Sequence, residues 1–274
     1  MSDWQHTLIG GGLAGIISDG ISHPLSTIKA RLQVGSQVNS SFLQHSQTIL
    51  KQDYKVLFRG FTIISLTAPA RALYFGAYET VKYYGNANSP ITQAIAGPLA
   101  QFSGSLLWVP MDVIKERMQV QGTVKTSVQT KGTIYKHPLH CFQHVIKTEG
   151  FKGIYRGFLL HQLVWSPFNF IFFPLYEALK KANWLYDDHI NTTIYPSAAF
   201  LSAIISGAVT SPLDNLKVRL QTQPQYKNAL HCFKSIIKEQ GIKALFRGTQ
   251  ARVVWIAPNM AMTLSLYTYF TASI

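Results

Sequence analysis

The sequence predicts an all-α membrane protein: six transmembrane helices in three pseudo-symmetric repeats, each repeat carrying one short surface helix. Three observations predict it. A ten-residue stretch beginning at a proline occurs three times, as Pro24–Gln33, Pro110–Gln119 and Pro212–Gln221, each after an apolar, small-residue run. Each copy is followed by a basic amphipathic segment that ends in an aromatic-Arg-Gly step: Phe58-Arg59-Gly60, Tyr155-Arg156-Gly157 and Phe246-Arg247-Gly248. Basic residues gather between those two marks and nearly vanish elsewhere. A period near 100 residues is too long for a solenoid and suits three modules packed about an axis.

Composition agrees. Charged residues make up 14% of the chain, against roughly 25% in soluble proteins. Mean hydropathy is +0.09, low for a membrane protein, and it is accounted for if each helix turns a polar face to a water-filled cavity. The net charge of +13 would suit a nucleic-acid binder, but its placement argues against one. Segments 24–60, 110–157 and 212–248 hold 20 of the 25 Lys and Arg and only six of the twelve acids. Basic connections between apolar spans mark one face of a membrane. Met1–Gly12 carries no secretory signature. Two cysteines, Cys141 and Cys232, make no disulfide framework.

Taken in order, the first helix opens at His6 and runs to Gln33. Gly11 and Gly15 give it a small-xxx-small face for close packing, and Pro24 should kink it. Gly35–Ser41 is a loop. Phe42–Lys51 is a surface helix with Phe42, Ile49 and Leu50 available for its buried side. Phe61–Tyr84 is the second span, and Gly85–Pro90 a turn. The second repeat spans Ile91 to about Gln121, loops through Gly122–Lys136, forms a surface helix over His140–Thr148 and spans again over Gly157–Lys181. Tyr186–His189 is an outer connection. The third repeat gives spans at 194–222 and 248–272 and a surface helix at 228–239. The repeats are 1–86, 87–188 and 189–274 of one membrane domain.

Three ordered copies of two linked motifs resemble the mitochondrial carrier family, the six-helix transporters of the mitochondrial inner membrane. The resemblance covers nearly the whole chain. It implies multi-pass residence in that membrane, basic connections on the matrix side, a small-molecule substrate and a monomer, with no nucleic-acid partner. It also implies alternating access through two gates. In the matrix gate an acid two residues after each proline bridges to a lysine of the neighbouring repeat. Here the acids are Asp112 and Asp214, and the lysines are Lys29, Lys115 and Lys217. Serine stands at 26 in place of the first acid. Cyclic order pairs Asp112 with Lys217 and Asp214 with Lys29, and leaves Lys115 without a partner. Gln33, Gln119 and Gln221 fall where the family braces these bridges.

The family's cytoplasmic gate is an aromatic-acid-x-x-base on the even helices. Glu79 with Lys82 and Glu177 with Lys180 match it, whereas the third copy, Tyr267 to Thr271, has lost both charges. Glu79 to Lys180 is the expected surviving bridge, so either the cytoplasmic gate is the weaker one and the empty carrier rests open to the outside, or polar or cardiolipin contacts compensate for the missing charges. Resemblance also implies no cofactor but bound cardiolipin at helix starts, with Gly60, Gly157, Gly248, Gly150 and Gly241 as candidates.

Substrate contacts in this family cluster around a mid-membrane proline of the even helices, here Pro69, Pro167 and Pro258. One helical face then presents Arg71 and Tyr74, His161, Trp165 and Asn169, and Arg252, Trp255 and Asn259. On the first helix Asp19 lies five residues before Pro24. Intramembrane charges are functional candidates by default. Arg71 and Arg252 suit a phosphate or carboxylate, Asp19 an amine or other cation, and the tryptophans a flat ring. The alternative for each is a structural ion pair or core packing.

His140-Cys-Phe-Gln-His144, with His231-Cys232 later, imitates zinc spacing. The two sit at the same point of separate repeats, and no metal is expected. No phosphate loop or nucleophile set supports an enzyme. Ser18-Asp19, Pro24-Leu25 and Thr27-Ile28-Lys29, with Pro167-Phe168 and Phe173–Lys180, resemble the S-adenosylmethionine carriers. Trp165-Ser166 departs from them, since they have Arg-Glu there. Pro69–Phe75 resembles the iron carriers, except that Arg71 replaces their histidine and looks more like the pyrimidine nucleotide carriers. The expectation is a metabolite, cofactor or nucleotide transporter of S-adenosylmethionine type. Nucleotide or iron transport is the alternative, as is a carrier-fold protein that leaks protons or serves as a receptor.

Overall fold

The computed structural model describes residues 3–35, 42–85, 90–123, 134–181 and 191–273. The turn at 86–89, most of the 122–136 loop and the Tyr186–His189 connection lie outside them, as does most of the 35–41 loop.

Every regular element among the described residues is helical. The long rods are α1 (Asp3–Val34), α3 (Ala68–Tyr84), α4 (Pro90–Gln119), α7 (Phe158–Lys181), the pair α8 (Asn191–Val209) and α9 (Ser211–Thr222), and α11 (Thr249–Ser273). Between them lie the short helices α2 (Phe42–Asp53), α5 (Pro138–Glu149), α6 (Phe151–Ile154) and α10 (Ala229–Gln240). Each long rod packs on the next and α11 packs back on α1, so six rods close a ring.

The polarity of the ring is inverted relative to a soluble bundle. Leu13, Ile17 and Ile21 on α1, and Ile95, Leu99, Phe102 and Leu106 on α4, are exposed at one-turn spacing. Ser18, Ser22, Ser26, Lys29 and Gln33 of α1 are buried instead. Apolar side chains outward and polar ones inward suit a body surrounded by hydrocarbon and organised around a wet axis. Among the described residues two stretches, Tyr54–Tyr84 and Phe151–Lys180, are long and apolar enough to cross a membrane, and a bent third is Pro196–Val209 with Ser211–Thr222. The other rods carry too much polar surface to pass on hydropathy.

The three prolines do not all interrupt their helices. In α1 and α4 the helix continues through Pro24 and Pro110. Only the third repeat breaks, at Thr210, where α8 and α9 meet at 66°. Pro212 cannot donate to the carbonyl four residues back, and it sits in the first turn of α9, where a missing N–H costs least. The second rod also differs from a uniform helix: Phe61–Thr67 is 3-10, and α3 starts only at Ala68. The chain has nine steps from Gly60 to Pro69 but ten from Gly157 to Pro167 and from Gly248 to Pro258. A 3-10 turn rises about 2.0 Å per residue against about 1.5 Å in an α-helix, so the looser pitch spans the missing residue.

The surface helices each knit two repeats. Cys141 and Val145 of α5 pack with Ile114 and Met118 of α4 and with Ile63 of the first repeat. Cys232 and Ile236 of α10 pack with Leu216 and Leu220 of α9 and with Leu160 of the second repeat. Ile49 of α2 joins Ile28, Leu32 and Ala251. Leu50, expected inside, is 55% exposed. His137 and Asn228 cap α5 and α10 by accepting from the amides of His140 and His231, which satisfies amides that helix starts leave free.

Candidate substrate cavity and charged ring

The ends of α1, α4 and α9 come together, and their charged side chains meet there. Lys29 Nζ lies 3.2 Å from Asp214 Oδ2, and Lys217 Nζ lies 3.0 Å from Asp112 Oδ2. These are the two cross-repeat pairs that the cyclic order names. Gln33 donates to Asp214 at 2.7 Å. Gln119 donates to Ser26 at 2.8 Å and to Thr27 at 3.1 Å, so the serine accepts the bracing amide where an acid would have stood.

Four expectations need correction here. Lys115 is not left alone: its Nζ lies 3.3 Å from Asp112 Oδ1, one turn back on the same helix. Gln221 braces nothing, since both ends of its buried amide lack a hydrogen-bond partner. Arg252 and His161, assigned to the substrate face, belong to the ring. Arg252 Nη1 lies 3.0 Å from Asp214 and its Nη2 donates to Thr210 at 2.8 Å. His161 Nδ1 lies 3.4 Å from Asp112. Helical spacing gives the direction of a side chain but not its reach, and both groups reach down to the buried carboxylates.

A second cyclic set lies beside the ion pairs and escaped the motif reading. The arginine two residues after each ring lysine donates to the backbone of the next repeat: Arg31 to Gln119 O at 2.8 Å, Arg117 to Gln221 O at 2.9 Å and Arg219 to Gln33 O at 2.9 Å. The arginines of the Arg-Gly steps do the same. Arg59 donates to Gln121 O at 3.2 Å, Arg156 to the Pro224 and Tyr226 carbonyls, and Arg247 to Gly35 O. Helix C-termini leave carbonyls unsatisfied, and a neighbouring arginine caps each one.

Above the ring lies a cavity of ≈ 380 Å³, counted with its open mouth. Asp19, His23 and Ser26 of α1 line it, with Ile63, Ile64 and Thr67, Met111, Asp112 and Lys115 of α4, and Trp255 of α11. Asp19 is the centre of its polar wall. It accepts from Arg71 at 2.6 Å and from Asn259 at 3.1 Å, and Asn259 also donates to Ser22 at 2.8 Å. Gly15 has a reason beyond close packing, since a Cβ there would overlap the Arg71 guanidinium. Lys29 Nζ sits 4.7 Å from the centre of the Trp255 ring. Tyr74 packs against Phe75 and Trp108, and Trp165 packs edge-on against Phe168. These two rings and half-buried Asn169 stand outside the lining. His23, Ile63 and Ile64 fall outside the repeated motifs and were missed, and Met111 sits inside one at a position to which the motif gives no role.

The opposite end of the ring of helices lacks cross-helix ion pairs among the described residues. Glu79 lies 3.9 Å from Lys82 and Glu177 3.3 Å from Lys180, each within its own helix. The expected Glu79–Lys180 bridge is not formed. Lys82 and Lys180 stack over Tyr78 and Tyr176. Thr271 lies among residues whose side chains are not described.

Gly60, Gly157 and Gly248 all have φ near +80°, a left-handed region open to glycine. All three face the neighbouring repeat, Gly60 at ordinary contact with Lys115 and Met118, but a Cβ would stand 3.2 Å from Gln221 Cγ at Gly157 and 2.8 Å from Gln33 Cγ at Gly248. Gly157 and Gly248 precede the first turns of α7 and α11, whereas Gly60 precedes a 3-10 turn. Gly150 and Gly241 close α5 and α10.

A ring of helices with an apolar outside, a polar cavity and cross-repeat ion pairs at one end is the arrangement of a membrane transporter. The family model described as mitochondrial carrier protein matches residues 2–89, 86–186 and 188–274 in turn. "Mitochondrial substrate carrier family protein E" of Dictyostelium discoideum is 36% identical over 95% of this chain and 93% of its own. "Probable S-adenosylmethionine carrier 2, chloroplastic" of Arabidopsis thaliana is 34% identical over 91% of this chain and 69% of its own. "Mitoferrin" of Dictyostelium discoideum is 29% identical over 96% and 92%. The chain belongs to the mitochondrial carrier family, whose members are transporters and not enzymes.

Proposed function

We propose that this carrier moves a small zwitterionic metabolite of S-adenosylmethionine type across the mitochondrial inner membrane by alternating access. The carrying observation is the Asp19–Arg71 pair held by Asn259 at the cavity wall. A ligand with both an ammonium or sulfonium and a carboxylate can replace that pair group for group, taking Asp19 with its cation and Arg71 with its anion. Trp255, one wall of the same cavity, offers a face for a flat base. Likeness to a relative named as an S-adenosylmethionine carrier supports the same class. Arg71 stands against bare iron, since a cation would have to displace the guanidinium to reach Asp19.

In this reading six helices span the membrane, the basic connections face the matrix, and the carrier works as a monomer. The ring of Lys29, Asp112, Lys115, Asp214 and Lys217 is the matrix gate. Glu79, Lys82, Glu177 and Lys180 form the weaker outer gate, and the arrangement described above is the one open to the outside. Two gates of comparable energy let a bound substrate tip the balance between states. Cardiolipin phosphates would fit best against the starts of α7 and α11, where a positive-φ glycine leads into a long helix and free amides. The 3-10 turn after Gly60 offers a weaker dipole.

The test is thermal stability of the purified protein in detergent against a metabolite panel, since a ligand of the folded state raises the unfolding midpoint. S-adenosylmethionine should raise it, and Asp19→Asn should abolish the shift. A shift with pyrimidine nucleotides instead, lost in Arg71→Ala, would move the assignment to a nucleotide. Silence across the panel would favour a carrier-fold protein that does not exchange metabolites.

A further inference from the structure

Ser26 leaves the ring one acid short, and the buried charges beside it show what replaces that acid. Without a third acid, Lys29, Lys115, Lys217 and Arg252 would have only Asp112 and Asp214 within ion-pair distance among the described residues. Glu116 lies among them, 3% exposed, with its Oε1 3.9 Å from Lys29 Nζ. Its Oε2 has no hydrogen-bond partner. The matching positions of the other repeats, one residue after the ring lysine, are Ala30 and Val218. Both are fully buried and pack together with Val34 and Val120. This is a central apolar layer with contributions from all three repeats, and a carboxylate placed in it without compensation would be strongly disfavoured. Its field reaches Lys115 and Lys217 as well as Lys29.

We propose that Glu116 is the third acid of the ring, supplying from α4 the negative charge that Ser26 withholds on α1. The charge has moved from the wall of the ring to its centre. A wall acid would join two helices by one contact, at the roughly 3 Å usual for charge-assisted hydrogen bonds. Glu116 acts on three lysines at longer range, so it holds the three helix ends together without committing to one neighbour. When the ends separate, Lys29 and Lys217 lose it together, while Lys115 travels with it on α4. The charge balance stands whatever the substrate is, while its part in gating rests on the alternating-access reading.

A double-mutant cycle on purified protein tests this, with the unfolding midpoint as readout and no ligand added. Glu116→Gln should lower the midpoint by about 5 °C or more, as expected for an uncompensated buried charge. Ser26→Asp in that background should recover most of the loss, because it returns an acid to the wall beside Lys115. Ser26→Asp alone should give no gain, having added a fourth acid. If Glu116→Gln does not accumulate as folded protein, accumulation of the S26D/E116Q double variant reads the same recovery. An unchanged midpoint in Glu116→Gln would overturn the proposal. So would equal effects of Ser26→Asp in both backgrounds, or a double variant that stays unfolded while S26D folds. Wild-type silence in a transport assay would count against the transport reading and leave this cycle readable.

Discussion

Asp19, Arg71 and Asn259 come from three different helices, and none is informative alone. The sequence marks the first two as intramembrane charges, and the structure adds that they neutralise each other across the cavity wall at 2.6 Å. Repetition made the ring acids and lysines legible, because three aligned copies expose both the pattern and its one serine. Arg252 and His161 were misplaced because face and depth are separate quantities, and periodicity reports only the first. Glu116 was overlooked for the opposite reason: it breaks the repeat where no motif asks for anything. At this scale the glycines give a comparative prediction. Gly60 and Gly248 share φ +80°, but an added Cβ meets ordinary contacts at Gly60 and Gln33 Cγ at 2.8 Å at Gly248. Gly60→Ala should cost about 1–2 kcal/mol, the strain of a left-handed residue. Gly248→Ala should cost more, because Gln33 must also shift off Asp214. Unfolding midpoints of the two variants check the order, and equal losses would contradict the steric argument.

The surface helices were the most legible elements. Their amphipathic spacing placed α2, α5 and α10 within about two residues of the observed ends, in line with the usual uncertainty of helix boundaries. The 3-10 segment before α3 was not predicted, although its cause, one residue fewer before Pro69, is visible in the sequence. Nor was it evident that α8 and α9 alone would separate, since all three repeats share the proline. The tie between α5 and the rods is electrostatic as well as apolar. Glu149, at the end of α5, is bound by Arg117 and by Arg156 at 3.1 Å. Burial works to raise its carboxyl, but the two guanidiniums outweigh it and hold the group below its usual 4.5. A carboxyl lowered by folding stabilises the protein in full above the unfolded value, and that contribution is lost as pH falls through the lowered one. Glu149→Gln should therefore reduce stability at neutral pH by about 2 kcal/mol. It should also flatten the decline below pH 4.5, measured as midpoint against pH. A variant curve parallel to the wild type down to acid would contradict the assignment. Cys141 and Cys232, both buried with thiols pushed up to about 12, make a thiol-reactive dye a suitable reporter of unfolding.

At the scale of the molecule, one asymmetry organises the account. The basic end of the ring is closed by cross-repeat ion pairs and by arginines capping the neighbouring helix ends. At the other end the described charges pair within their own helices. Hydropathy alone could not have shown this asymmetry, because it rests on which charged side chains meet across helices and not on how apolar each helix is. The substrate was less legible than the fold, since it depends on a handful of side chains around Asp19 rather than on repetition. The most direct test is uptake of labelled S-adenosylmethionine by liposomes containing the purified protein and cardiolipin, preloaded with unlabelled S-adenosylmethionine. Time-dependent uptake above protein-free liposomes is expected, reduced at least about tenfold in Asp19→Asn, a change of roughly 1.4 kcal/mol. Uptake no greater than in protein-free liposomes, or uptake indifferent to Asp19, would contradict it.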